Sequence, residues 1–171
     1  YRKAISQARS EILIANAYFV PGRKLRCALV HAAQRGVRVR LLLQGRYEYF
    51  MQYYAARPVY GVLLEAGVEI HEYAASFLHA KVAVIDGQWA TVGSSNLDPF
   101  SLLLAREANV VVRSKAFARE LRAGIVHAIE HAGKRMDAAE YTARPLRQRA
   151  FEWVAHAVMR LALWLQGKSY L

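Results

Sequence analysis

Short apolar runs alternate with stretches of helical spacing along the first two thirds of the chain. Residues 11–20 form an almost uninterrupted apolar run, EILIANAYFV, which is typical of a buried strand. Residues 23–35 instead space their apolar side chains along one helix face, and Gly36 suits a left-handed cap at the end. By the same criteria, the predicted strands are residues 11–20, 37–43, 68–73, 82–85, 89–92 and 107–113. The predicted helices are residues 23–35, 48–66 with a break near Pro58, 115–133 and 147–166.

The order of these elements predicts the fold class. A strand–helix–strand–helix–strand series is followed by a hairpin, another strand and a closing helix. This order favours an α/β fold in which helices flank a mixed β-sheet. The 171 residues suit one domain with a sizeable core and an appended terminal segment.

The predicted hairpin has the dipeptide Asp86-Gly87 at its tip, which is typical of two-residue turns. If these two residues form the loop, Ser94 lies opposite His79. His79 and Lys81 are two residues apart in an extended segment, so their side chains should project to one face. The hairpin is therefore predicted to bring residues 93–96 (GSSN) beside His79.

The residue types gathered in this way suit a reaction at phosphorus. A neutral imidazole, here that of His79, can act as a nucleophile, and Lys81 offers a compact cation to a phosphate oxygen. Neutral hydrogen bonds are available from Ser94, Ser95 and Asn96. Such groups can stabilise a phosphoryl-transfer transition state without a metal ion. Asp86 alone would favour a turn-making role, and only the joint spacing predicts chemistry.

His79-x-Lys81-x4-Asp86, followed by Gly-Ser-Ser-Asn, resembles the HKD motif of the phospholipase D superfamily. Nearly the whole chain resembles the C-terminal half of bacterial cardiolipin synthases. The stretch LHAKVAVIDGQWATVGSSNLDPFSLLLAREANVVV is the most similar part. The resemblance implies a phospholipase D-like catalytic half-domain with one HKD motif at residues 1–143. Residues 144–171 are then an appended apolar or amphipathic helix.

The same resemblance implies the roles of individual residues. The catalytic set is His79, Lys81, Asp86, Asn96 and Glu107, and the phosphate-binding set is Lys81, Ser94, Ser95 and Asn96. In the family the aspartate tends to be structural, which agrees with the turn expected at Asp86. Glu107 is similar to a family carboxylate that orients the histidine of the opposite motif, although it could simply begin a strand. No metal or organic cofactor is expected.

The chain departs from the family in carrying one copy of the motif. The motif requires a lysine two residues after its histidine. That lysine is missing after His31, His71, His127, His131 and His156. In the family two motifs meet at one site, where one histidine attacks while the other protonates the leaving group and later activates the acceptor. The second HKD half must therefore be a missing N-terminal half or a second copy of this chain. The start without methionine favours the missing half.

The charge balance favours anionic partners. Lysine and arginine number 24 against 13 aspartates and glutamates, giving a net charge of +11. This excess fits nucleic acid, anionic headgroups or phosphate-rich substrates equally well. Cys27, the one cysteine, excludes an intrachain disulfide and favours a reducing compartment. We predict that it is a small buried core residue.

The last predicted helix carries a broad apolar surface. One stripe consists of Phe151, Val154, Val158, Leu161 and Leu165, and a narrow polar stripe consists of Glu152, His156 and Arg160. Basic residues flank the helix at Arg144, Arg147, Arg149 and Lys168. This pattern fits a helix that lies in a membrane interface among anionic headgroups. It fits docking onto the missing half equally well.

The sequence thus predicts phosphatidyl transfer between phospholipids, as in cardiolipin synthesis, through a covalent phosphohistidine. The predicted partners are a phosphatidylglycerol-like anionic phospholipid, a membrane surface and the second HKD half. The predicted location is peripheral, on the cytoplasmic side of a bacterial inner membrane. One alternative is a single-motif homodimeric nuclease or phosphodiesterase of the same superfamily, with nucleic acid as partner. The other is a fragment that is inactive alone and serves as an interaction half.

Overall fold

A computed structural model of the chain describes residues 1–46 and 50–165, and for residues 50–52 it describes the backbone only. The strands are β1 (Glu11–Asn16), β2 (Arg38–Gln44), β3 (Glu69–Tyr73), β4 (Lys81–Ile85), β5 (Trp89–Gly93), β6 (Asn109–Val112) and β7 (Gly133–Arg135). The helices are α1 (Arg2–Gln7), α2 (Arg23–Gln34), α3 (Phe50–Glu65), α4 (Pro99–Leu103), α5 (Lys115–Ala132), α6 (Ala138–Thr142) and α7 (Leu146–Leu165).

The strands form one seven-stranded sheet in the order β6-β5-β4-β1-β2-β3-β7. Strands β1, β2 and β3 are parallel neighbours, and the crossovers that parallel pairing needs contain α2 and α3. Each of the other neighbouring pairs is antiparallel. The predicted α/β fold with a mixed, helix-flanked sheet is therefore confirmed.

Both faces of the central strands are buried. On β1, Ile12 and Ile14 join a core that includes residues of α2, α3 and α7, whereas Leu13 and Ala15 join a smaller core under α5. Because successive strand residues point to opposite faces, a strand covered on both sides reads as a continuous apolar run. This explains the nearly uninterrupted apolar run at residues 11–20.

Local details of the helices confirm one prediction and contradict two. Gly36 has a φ of +85°, as the left-handed cap requires. The break expected at Pro58 is wrong, because α3 continues through it and buries Ala55 and Val59 where it packs on α7. Cys27 is exposed rather than buried, since it lies on the opposite side of α2 from the core-facing leucines.

The hairpin differs from the prediction by one residue of register. Asp86 and Gly87 have the positive φ values of the expected turn, and Gln88 N–H donates to the Ile85 carbonyl. The ladder then pairs Ile85 with Trp89 and leaves Gln88 as an additional loop residue. The predicted pairing of Ser94 with His79 is therefore wrong. Continued past β5, the observed register brings Ser95 level with His79.

The last helix is attached to the body through Glu152 and His156 of the predicted polar stripe and through its buried Ala155, Met159 and Leu163, whereas Arg160 is exposed. Glu152 accepts hydrogen bonds from Arg144 Nη1, with both oxygens at 2.7 Å. His156 Nδ1 lies 2.9 Å from the carbonyl oxygen of Ala55 in α3. Both Glu152 and His156 are buried, whereas all five residues of the predicted apolar stripe are exposed. Lys168 lies outside the described residues, and the boundary at residue 143 stays a prediction.

Candidate active site

The two motif side chains lie where β4 begins and β1 ends. Lys81, the first residue of β4, is level with Asn16, the last residue of β1. His79 comes two residues before β4 and is exposed, whereas Lys81 is buried. The site is therefore at the carboxyl end of the parallel strands, the edge where α/β sheets usually hold their ligands. Lys81 forms the inner part of the site and His79 its accessible part.

The histidine and the lysine contact each other directly. The Lys81 Nζ lies 3.1 Å from the His79 Nε2. An ammonium group has donors and no acceptor, so Lys81 donates and Nε2 carries the lone pair. The ring proton of the neutral imidazole is then on Nδ1. The basic nitrogen therefore points toward the cation that would neutralise a bound phosphate.

Asn96 belongs to a short series of hydrogen bonds beside this pair. Its Oδ1 accepts from the Tyr18 N–H at 3.4 Å, and its own N–H donates to Ser101 Oγ at 2.9 Å. Ser101 Oγ in turn lies 3.2 Å from Glu107 Oε1 and donates to it. Glu107 is exposed, so this carboxylate is held from one side and is open on the other. Its predicted role toward an opposite histidine stays a prediction.

The two adjacent serines have different environments. Ser95 is buried and its Oγ accepts a hydrogen bond from Asn109 Nδ2 at 2.6 Å. Ser94 is exposed, and its Oγ accepts from the Ala108 N–H at 3.1 Å. If the register is continued past the end of the ladder, Ser95 falls on the sheet face of His79 and Lys81 and Ser94 on the other face. The roles expected of Ser94 and Ser95 at a phosphate stay predictions.

Two polar residues of this region were missed by the sequence reasoning. Asn16 is fully buried, and its Oδ1 accepts from the Leu97 N–H at 3.1 Å. Asp98 caps α4 by accepting from the backbone N–H groups of Phe100 and Ser101. Burial raises the pKa of Asp98, and the Glu107 carboxylate adds to this, while the capping N–H groups and Lys81 act in the opposite direction. The sequence Asp98-Pro99 is a helix-start signal that could have revealed the cap, whereas nothing marked Asn16.

Asp86 is not part of this cluster. It follows the far end of β4, roughly 17 Å from Lys81 at the usual rise of a strand. Its carboxylate accepts hydrogen bonds from the backbone N–H groups of Arg9, Ser10 and Glu11 at 2.8–2.9 Å. Burial alone would raise its pKa, but these bonds outweigh it and lower the pKa below the ordinary value. Asp86 therefore fastens the hairpin to the segment before β1, which agrees with its expected turn-making role.

Among residues 1–46 and 50–165, no group of three or more His, Cys, Asp or Glu is arranged to hold a metal ion. The described site instead consists of a histidine–lysine pair with neutral donors and an open carboxylate beside it. Such a set can present a nucleophile and a positive charge to a phosphodiester.

The site and fold define a phospholipase D-like domain, and sequence comparison agrees. The family model "Cardiolipin synthase, PLD-like domain" matches residues 1–129, so the chain belongs to this family. The chain is 49% identical over 122 residues to cardiolipin synthase B of Escherichia coli (strain K12), a match that covers 71% of this chain and 30% of the relative. It is 36% identical over 161 residues to cardiolipin synthase of Geobacillus thermodenitrificans, covering 94% of this chain and 32% of the relative. The chain thus spans about a third of the length of these relatives.

Solved structures show the same fold. Nuc from Salmonella typhimurium, a phospholipase D family member, has a TM-score of 0.68 at 22% identity, covering 79% of this chain and 87% of that one. Phosphatidylserine synthase from Haemophilus influenzae has a TM-score of 0.70 at 13% identity, covering 97% of this chain and 42% of that one. At these identities the likeness concerns the fold alone.

Proposed function

We propose that this chain supplies one of two HKD half-sites for phosphatidyl transfer between phospholipids, as in cardiolipin synthesis. The contact between Lys81 Nζ and His79 Nε2, at 3.1 Å, carries the proposal. In this contact the lone pair of His79 Nε2 is next to the buried Lys81 ammonium group. The chain also belongs to the cardiolipin synthase-like family. Since the chain spans about a third of its relatives, the activity is proposed for the full-length protein.

The proposed reaction has two displacements at phosphorus. In the first, His79 Nε2 bonds to the phosphorus of the donor lipid, the bond from phosphorus to the headgroup oxygen breaks, and a histidine of the second half protonates the departing alkoxide. In the second, that histidine takes the proton of the acceptor hydroxyl, whose oxygen bonds to phosphorus as the P–N bond breaks. With phosphatidylglycerol as donor and acceptor, glycerol leaves and cardiolipin forms. Lys81 stabilises the negative charge on the non-bridging oxygens throughout.

The remaining residues have supporting roles in this proposal. Ser95 and Asn96 offer neutral hydrogen bonds near the phosphate, and both are already held by neighbouring groups. Glu107 has one side free for a histidine of the other half, which it would orient. No step needs a metal ion, so EDTA should leave turnover unchanged.

The test is phosphoenzyme trapping in the full-length protein. With a donor lipid labelled at its phosphate, the wild type should retain acid-labile label on histidine. His79→Ala should lose label from this half and reduce turnover by more than about a thousandfold, as loss of a covalent nucleophile does. His127→Ala, which removes an exposed histidine of α5, is the matched control. If His79→Ala still labels and still turns over, the proposal fails.

A homodimeric phosphodiesterase or nuclease is the second candidate. The likeness to Nuc covers 87% of that chain, which shows that a polypeptide of nearly this extent forms a separate phospholipase D family protein. The net charge of +11 also suits nucleic acid. Turnover of DNA by a dimer of this chain, with no turnover of phosphatidylglycerol, would favour this candidate over lipid transfer.

A further inference from the structure

The outward face of α7 is apolar over most of its length. Its exposed large side chains include Trp153, Val154, Val158, Leu161, Trp164 and Leu165, which are between 51% and 71% exposed. At 100° per residue these positions share a broad arc on the side away from the core. Exposed apolar patches of this extent usually mark an interaction surface. We call this arc the outer face of α7.

Two polar residues of α7, Glu152 and His156, lie on its inner side. Glu152 is 2% exposed and His156 is 6% exposed, and both are held by contacts to Arg144 and to the Ala55 carbonyl. A surface helix in water normally turns its apolar side chains inward and its polar ones outward. Here the buried side also contains the apolar Ala155, Met159 and Leu163, so α7 is apolar on both sides. A helix that is apolar on both sides is expected to be covered on both sides, so the outer face should meet an apolar environment.

The charges near the outer face are all positive. Arg147, Arg149 and Arg160 are exposed, whereas the one carboxylate of the helix, Glu152, is buried and paired. Arg149 precedes Trp153 by four residues, and Arg160 precedes Trp164 by four. Along one border of the face, cationic and indole side chains therefore alternate. Such borders are typical of helices at the boundary between headgroups and acyl chains.

We propose that the outer face of α7 docks on an anionic lipid bilayer, with the helix parallel to the surface. No helix among the described residues is long and apolar enough to cross a bilayer. The arginines would pair with headgroup phosphates while the aromatic and aliphatic side chains enter the acyl boundary. The proposal rests on the proposed function for the choice of an anionic phospholipid, but binding requires no turnover.

The first experiment measures cosedimentation of the full-length protein with vesicles. Vesicles of equal parts phosphatidylglycerol and phosphatidylcholine should bind the wild type more tightly than phosphatidylcholine alone. Val158→Ser should weaken binding about fivefold, and adding Val154→Ser should bring the loss to about twentyfold, because each removes half-exposed apolar surface that would enter the bilayer. Val111→Ser is the matched control, since Val111 on β6 is 52% exposed and Val158 is 51% exposed.

The second experiment tests the charges. Arg149→Gln with Arg160→Gln should weaken binding to the anionic vesicles by about twentyfold, at roughly fivefold per cation, and should reduce its dependence on salt. Arg119→Gln with Lys134→Gln removes the same charge from exposed positions on α5 and β7 and should have little effect. Comparing the two double variants separates local binding by the arginines of α7 from the general attraction of a basic protein to anionic vesicles.

Several results would overturn the proposal. It fails if the wild type does not sediment with the vesicles, or if Val158→Ser binds them as well as Val111→Ser does. It also fails if the outer-face variants alter the oligomeric state and leave vesicle binding intact, because the face is then covered by protein. His79→Ala should bind vesicles like the wild type. Turnover that does not need His79, with binding as expected, would remove the proposed function and leave the docking surface.

Discussion

Gly93 provides a sharp test of how the site is held together. A Cβ atom at this position would lie 2.6 Å from Asn109 Cγ, where an ordinary contact begins near 3.4 Å, and it would also meet the Ala108 carbonyl. Asn109 would have to move by at least 0.8 Å, the difference between these distances. The same side chain donates to Ser95 Oγ at 2.6 Å, so the movement disturbs the interior of the site. Gly93→Ala should therefore lower stability by about 1–3 kcal/mol and also lower turnover.

Gly124→Ala makes the same chemical change with the opposite expected sign. Gly124 lies within α5, and a Cβ atom there would meet nothing within 4 Å. Alanine is favoured over glycine inside a helix, so this variant should gain about 0.5–1 kcal/mol. Comparing the two variants thus separates the effect of the steric clash at Gly93 from the effect of losing the backbone flexibility of a glycine.

Urea unfolding of both variants measures the free energy of unfolding, provided that the slope against denaturant is unchanged. Turnover per folded molecule is measured beside it. The reasoning is refuted if Gly93→Ala unfolds at the wild-type urea concentration. It is equally refuted if the two variants change stability in the same direction by the same amount.

Three further predictions concern stability. Asp86→Ala should lower the free energy of unfolding in urea by about 1–2 kcal/mol, because Asp86 accepts backbone hydrogen bonds that hold the tip of the hairpin. Turnover per folded molecule should stay near that of the wild type, because these bonds are far from His79. A large loss of turnover would contradict this. Glu152→Ala should cost about 1–3 kcal/mol by leaving the Arg144 guanidinium without its carboxylate partner, and the exposed control Val154→Ala should cost less than about 0.5 kcal/mol. Burial lowers the pKa of His156, so the folded state resists its protonation. The unfolding free energy should be highest above about pH 6.5 and should fall below it. When urea titrations above and below about pH 6.5 are compared, His156→Gln should show a smaller fall than the wild type.

The fold was predictable because its central strands are covered on both faces. Strand β1 reads as an apolar run, β2 ends in three leucines after Arg and Val alternate, and the glycines that end α2 and α3 marked the helix ends in the sequence. The passage of α3 through Pro58 was not predictable, because packing against α7 outweighs the local preference there. The short elements α1, α4, α6 and β7 have too few residues to show a period.

The site was predictable where chemistry depends on spacing along one strand, as for His79 and Lys81. It was not predictable where chemistry depends on register, since one additional loop residue at Gln88 exchanges the faces of Ser94 and Ser95. Asn16 is 65 residues from Lys81 in sequence (81 − 16), and only the antiparallel pairing of β1 with β4 makes them level. A single sequence contains no local signal for such a pairing.

The position of β4 between β1 and β5 also has a consequence for the order of folding. Strands β1, β2 and β3 can associate through crossovers of moderate length, whereas β4 must insert beside β1 after all of them have been laid down. Long-range pairings of this kind form slowly, because their loop closure costs entropy before the contacts form. A nascent or partly folded chain can thus hold a formed parallel core while Lys81 is not yet beside Asn16. The alignment of Lys81 with Asn16, which only the β1–β4 pairing provides, is therefore expected to be a late event in folding.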